Sequence, residues 1–301
     1  MWTERQAALL KAMGVRLWSP PLAPAPLASQ AVPAALGAAG SAIPAASVVE
    51  MAAAARAPAP VEERPAQIAQ PGPAFMPVPE HLARLDWPAL RAAVADCRAC
   101  SLCEGRRQTV FGAGHLQARW LVVGEAPGEQ EDAAGEPFVG AAGQLLDAML
   151  QALQLSRRDD DDLAAWPAAR RVYIANTLKC RPPRNRNPEP AELAQCAPYL
   201  ARQIELLQPQ VILALGRFAV QALLGSNEAI GRLRGRVHRY RGTSVIVSYH
   251  PAYLLRNPAD KARAWEDLCL AAETAEAAEL AASAASVTAS LASSAARSAA
   301  I

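Results

Sequence analysis

The chain has 301 residues, of which 70 are alanine and 25 proline, with aromatics at 5%, so a hydrophobic content of 52% overstates what can pack into a core. Its 30 basic and 28 acidic residues leave a formal charge of +2, which excludes a histone-like polycation but not a local basic groove. No run of large apolar residues is long enough for a membrane span, and Glu4, Arg5 and Lys11 interrupt any export signal, so a cytoplasmic protein is expected.

In chain order, residues 1–19 read as a short amphipathic segment with Trp2, Leu9, Leu10, Met13, Leu17 and Trp18. Residues 20–84 read as a disordered linker, because positions 20–80 hold 13 Pro and 20 Ala and too little apolar surface to offset ordering entropy. A compact domain is expected over 85–270. Within it, Arg119–Glu125 is a short apolar run ending in glycine, the mark of a buried strand, and Gly143–Leu155 carries leucines at helical spacing. Val172–Leu178 reads as a strand, Ala191–Leu207 as a helix, Val211–Leu215 as a strand and Phe218–Leu224 as a short helix. Val237–Tyr240 and Ser244–Tyr249 flank Arg241-Gly242-Thr243 as a hairpin or bent strand pair, and a last helix starts near Lys261. Residues 271–301, with 15 Ala and 6 Ser, lack an apolar stripe and read as a frayed helix or disordered tail. Strands alternating with helices predict an α/β fold with a mainly parallel sheet covered on both faces, whose ligands bind at the carboxyl ends of the strands.

Those ends carry polar residues. The first strand runs into Gly124-Glu125-Ala126-Pro127-Gly128 with Glu129, Glu131 and Asp132 following, then Phe138 between a proline and a valine-glycine pair. The second ends at Asn176, whose amide suits the edge of a nucleobase. After the hairpin, His250 opens a proline-bounded segment through Leu254, Leu255 and Arg256. Convergence of these strand ends on one cleft is expected. Two acid-free clusters, Lys179–Arg186 and Arg232–Arg241 (with Arg234 and Arg236), suit phosphate contacts. Cys97-x2-Cys100 with Cys180 and Cys196 forms a four-thiol metal-site candidate for which Cys103 is an alternative ligand; spacing alone permits zinc or an iron–sulfur cluster.

The strings CRACSLCEGRRQTVFGAG, GEAPGEQEDAAGEPFVG, NTLKCRPPRNRNPEP and HPAYLLRNP, in this order, resemble the family 4, iron–sulfur, uracil-DNA glycosylases over about residues 90–268. The resemblance implies a three-layer α/β/α sandwich around a four-stranded sheet and a four-iron four-sulfur cluster on Cys97, Cys100, Cys180 and Cys196. It implies hydrolysis of the N-glycosidic bond of deoxyuridine in DNA, single- or double-stranded, after base flipping. On it, Phe138 stacks on uracil, Asn176 reads the N3–O4 edge, and the Ala126 N–H and His250 donate to O2. Glu131 closes the pocket near C5, Glu125 is favoured over Glu131 or Asp132 for orienting water, and Leu254, Leu255 and Arg256 wedge into the space left by the base. Arg234 and Arg236 would contact DNA. A related branch has an Asp base where this chain has Ala126; a cross-linking branch carries a basic loop with a nucleophilic His that this chain lacks, so covalent capture of DNA is not expected. The alternative is a non-catalytic DNA-binding or polymerase-associated module of the same fold, which would not need Phe138, Asn176 and His250 together. A monomer is expected in a bacterial, nucleoid-associated setting. Gln6-Ala7-Ala8-Leu9-Leu10 loosely resembles bacterial sliding-clamp peptides, which adds a clamp contact through residues 1–20 as an expectation.

Overall fold

A computed structural model of the chain describes residues 75–76, 78–158 and 167–298. The amphipathic segment 1–19, with its expected clamp contact, and the linker up to residue 74 lie outside the described residues. Helix α1 (Trp87–Ala95) opens on Asp86, whose carboxylate accepts from the Ala89 N–H at 3.0 Å and caps the first turn. Then follow α2 (Leu102–Gly105), the two-residue strand β1 (Ala113–Gly114), β2 (Trp120–Gly124), α3 (Glu129–Ala134) and α4 (Ala141–Ala152). The second half contains β3 (Val172–Asn176), α5 (Pro190–Leu207), β4 (Val211–Leu215), α6 (Arg217–Leu224) and α7 (Ile230–Leu233). It closes with β5 (Val237–Tyr240), β6 (Thr243–Ser248), α8 (Pro251–Arg256) and α9 (Lys261–Ser298).

The strands form one sheet in the order β1-β3-β2-β4-β6-β5. The four central strands are parallel, as expected; the sheet extends to six because β1 and β5 add antiparallel edges. Central strands buried on both faces read as unbroken apolar runs, such as VILAL in β4. Successive side chains still alternate between faces. Val122, Ile174, Leu213 and Ile246 meet Leu146 and Met149 of α4 and Trp265 and Leu268 of α9. On the other face, Leu121, Tyr173, Ile212 and Val245 meet Leu200 and Ile204 of α5 and Val220 of α6. This is the three-layer α/β/α sandwich. The β5–β6 hairpin turns at Arg241 (φ 47°) and Gly242 (φ 91°), the two consecutive left-handed residues that match the twist of paired strands.

Two boundaries differ from the sequence expectation. The packed domain includes residues before 85: a 3-10 turn at Glu80–Arg84 buries Leu82 with Leu90, Val94, Phe111 and Tyr199. At the other end, α9 continues without a break past residue 270, and Ala271 and Ala275 extend the buried face begun by Ala264, Trp265 and Leu268. Alanine buries too little surface for that stripe to stand out in composition. No described helix is long and apolar enough to cross a membrane.

Candidate active site

The parallel register sets Gly124 at the end of β2 directly beside Asn176 at the end of β3. Their continuations are joined by Thr177 N–H to Gly124 O (3.0 Å) and Leu178 N–H to Glu125 O (3.1 Å). The ends of β4 and β6 are tied by Gly216 N–H to Ser248 O at 3.0 Å. Above these four ends lies a cavity of about 790 Å³ whose wall includes Glu125, Ala126, Glu131, Phe138, Asn176 and His250, with Arg256 and Arg217 also on it. The expected convergence therefore occurs, and it follows from parallel strands delivering all their carboxyl ends to one edge.

Asn176 is buried and its Oδ1 has no hydrogen-bond partner among the described residues. An orphaned acceptor in a cavity wall costs free energy that a ligand with a matching donor recovers. Gly124 permits this arrangement, since a Cβ there would stand 2.5 Å from Asn176 Oδ1 and 2.6 Å from the Phe138 ring. Phe138 stacks on His250 with ring centroids 5.4 Å apart.

His250 caps the N-terminus of α8, its Nδ1 accepting from the Ala252 N–H at 3.2 Å. That contact places the neutral ring's proton on Nε2. Burial, reinforced by the Arg256 charge and opposed by Glu131, depresses the imidazole to about 4, so the ring is a neutral donor at physiological pH. Glu125 is shifted upward by burial, against the opposing charge of Arg217.

The three carboxylates proposed for water activation separate clearly. Asp132 is buried and accepts from the Arg107 N–H at 3.0 and 3.2 Å. Glu131 accepts from Gly128 N–H (3.1 Å), Val139 N–H (3.0 Å) and Gly140 N–H (3.2 Å), binding the loop before α3 to the loop after Phe138. Glu125 remains as the carboxylate with a raised pKa on the cavity wall.

Several expected contact residues are placed otherwise. Leu254 is 0% exposed, in the core with α4 and α9, so it is no wedge; Leu255 beside it is 44% exposed. One helical step turns the first inward and the second outward. Arg234 is not a free phosphate contact either: its guanidinium pairs with Glu266 at 2.8 Å and with fully buried Asp267 at 3.1 Å. Asp267 also accepts from Ser248 Oγ at 2.8 Å, so this network anchors the end of β6 on α9. Arg236 is exposed but off the cavity wall. Lys179 is buried, donating to Asn176 O (2.9 Å) and Gln203 Oε1 (2.7 Å), with burial lowering it to about 8. Arg217 was missed by sequence reasoning; the available signal was Gly216-Arg217 directly after β4, the third parallel strand.

Cys97, Cys100, Cys180 and Cys196 line a second cavity, together with Cys103, Arg106, Lys179 and Tyr199. Among the described residues no group of three or more His, Cys, Asp or Glu side chains is arranged to hold a single metal ion. Arg106 Nη1 approaches Cys180 Sγ at 3.2 Å. Burial pushes the Cys180 thiol up to about 11, against Arg106, and the Cys196 thiol up to about 12, against Lys179.

Fold and site together define an α/β protein with a cavity at its strand ends walled by an aromatic ring, a buried amide and an imidazole. The family model described as the uracil DNA glycosylase superfamily matches residues 111–269. The chain is 43% identical over 173 residues to a type-4 uracil-DNA glycosylase of Archaeoglobus fulgidus, covering 55% of this chain and 81% of that protein. It is 42% identical over 172 residues to a type-4 uracil-DNA glycosylase of Thermotoga maritima, covering 56% and 83%. A DNA polymerase of Bacillus phage SP01 is 27% identical over 158 residues, which span 52% of this chain and 16% of the polymerase. The chain belongs to the uracil-DNA glycosylase superfamily.

Proposed function

We propose that this protein is a uracil-DNA glycosylase of the type-4 kind, which hydrolyses the N-glycosidic bond of deoxyuridine in DNA and so initiates base-excision repair. The observation that carries the reading is the buried, unpartnered Oδ1 of Asn176 in the same cavity wall as Phe138 and a neutral His250. Uracil presents N3–H as a donor beside the O4 acceptor, and an amide matches both; cytosine has an acceptor at N3 and a donor at N4. Phe138 supplies a stacking face. As the bond to the sugar breaks, negative charge collects on the base, and the Nε2–H of His250 with the Ala126 N–H donates to O2, where such donors are worth about 3 kcal/mol each. Glu125, with its raised pKa, orients the water that attacks the sugar carbon. Glu131 acts by holding the two loops, and Leu255 with Arg256 takes the DNA-facing part. The protein acts as a cytoplasmic monomer on nucleoid DNA.

An end-labelled oligonucleotide with one uracil, incubated with the protein in the presence of EDTA and then treated with alkali, is expected to break at that position. Thymine or cytosine there is expected to leave it intact. Intact uracil strands that the protein nevertheless binds would favour the non-catalytic module.

The thiols around the second cavity, Cys97, Cys100, Cys180 and Cys196, are a donor set that suits a four-iron four-sulfur cluster. A cluster takes one thiolate on each iron, so it draws ligands from around a volume rather than about a point. Thiols raised by burial are stabilised as thiolates by metal, and Arg106 and Lys179 offset the resulting charge. Held by these four thiols, the cluster would supply a structural tie between the segment around α2 and α5. Cys180→Ser and Cys196→Ser are expected to lose iron and brown colour and to lower Tm by roughly 10 °C. Stoichiometric zinc in colourless wild-type protein would overturn the assignment.

A further inference from the structure

Phe138 adopts a left-handed backbone conformation, with φ at 56°, which a side-chain-bearing residue takes only when its surroundings hold it there. Two devices that hold the adjoining peptide groups do so. On the C-terminal side, Glu131 Oε1 accepts from the Val139 and Gly140 N–H groups at 3.0 and 3.2 Å. On the carbonyl side stands Arg157, outside every motif discussed above. Its Nη1 donates to the Pro137 carbonyl and its Nη2 to the Phe138 carbonyl, both at 2.8 Å. The same guanidinium pairs with Asp147 of α4, Nε to Oδ1 and Nη2 to Oδ2, again both at 2.8 Å.

Both anchors are themselves fixed. Asp147 projects from the middle of α4. Arg157 follows Ser156, which exchanges hydrogen bonds with the approach to β3: Ser156 N–H to Arg170 O at 3.0 Å and Val172 N–H to Ser156 O at 2.9 Å. Gly143, in the first turn of α4, sits so close beneath the Phe138 carbonyl that a Cβ would overlap it. A planar guanidinium serves two carbonyls and a carboxylate at once, which a lysine ammonium on a flexible stem does not reproduce.

We propose that Arg157, oriented by Asp147, is a positioning residue for base recognition: it locks the Pro137–Phe138 carbonyls and thereby the plane of the ring on which the uracil stacks. This rests on the glycosylase reading. Arg157 touches neither base nor sugar and acts through Phe138.

The test is a double-mutant cycle on the full chain, with the affinity for free uracil by calorimetry and kcat/KM on a uracil oligonucleotide as readouts, and Tm measured alongside. Arg157→Ala is expected to weaken uracil binding and kcat/KM by on the order of 10-fold, as misplaced contact groups do. Added to Phe138→Ala, it is expected to cost less than about 2-fold more, because its effect passes through the missing ring. A role in stability alone would lower Tm and multiply the two losses, and that result overturns the proposal. So does an Arg157→Ala protein whose uracil affinity matches wild type. Should Arg157→Ala not fold, Asp147→Asn, at a half-exposed position, carries the same cycle with the same criteria. Wild-type protein that binds uracil but does not excise it refutes the activity reading, while the cycle on uracil affinity still decides the role of Arg157.

Discussion

Replacing Asn176 with alanine is expected to lower kcat/KM for uracil excision by on the order of 100-fold or more while leaving Tm unchanged or slightly raised. The direction of the first effect follows from selectivity built on a buried hydrogen-bonding edge, where losing the match is far more costly than losing apolar contact. The second follows from the free protein: Oδ1 has no partner there, so truncation removes an unsatisfied acceptor, worth about 1–3 kcal/mol, and offsets the small void created. Activity and stability therefore separate in this variant. Steady-state kinetics and thermal melting of the same preparation check it, and a variant within about 3-fold of wild type would remove Asn176 from base recognition.

His250→Ala is expected to lower kcat by about 100- to 1000-fold, the range for removing one donor to a developing oxyanion. The pH dependence carries a sharper signature. An imidazole held at about 4 is neutral throughout the ordinary range, so no inflection at pH 6.5 is expected in kcat/KM from this residue. The part of the activity owed to His250 should fall only as pH drops toward about 4, when the ring gains a proton and Nδ1 can no longer accept the Ala252 N–H. Stability follows the same residue. Between the folded value near 4 and the unfolded value of 6.5, the unfolded chain binds more protons. The contribution is thus fully present above 6.5 and declines as pH falls through the folded value near 4. A pH–rate profile and urea melts at several pH values test both; a kinetic step at pH 6.5 that disappears in His250→Ala would show that the ring titrates normally.

Much of the architecture is legible in the sequence. The runs WLVVG, VYIAN, VILAL and TSVIVS are apolar enough to identify strands buried on both faces, and the helices between them demand parallel pairing. Strand ends then nominate Glu125, Asn176 and His250 by position. The two-residue β1 was illegible because two residues carry no period. The docking of α9 was illegible because its buried residues beyond Leu268 include Ala271 and Ala275, indistinguishable by type from the exposed alanines around them.

The sequence by itself thus determined the layered fold and the edge of the sheet where chemistry belongs, since both depend on local periodicity. Tertiary structure alone decided what each polar group has as a partner. Arg234 looked like a phosphate contact until Asp267, 33 residues on, occupied it, and Leu254 looked like a wedge until the packing of α8 turned it inward. Glu131 became a loop anchor through amides three, eight and nine residues away. The tautomer of His250 and the vacant acceptor of Asn176 belong to the same class. A side chain's chemistry is set by the groups within about 3 Å of it, and those come from chain segments whose proximity no local pattern encodes.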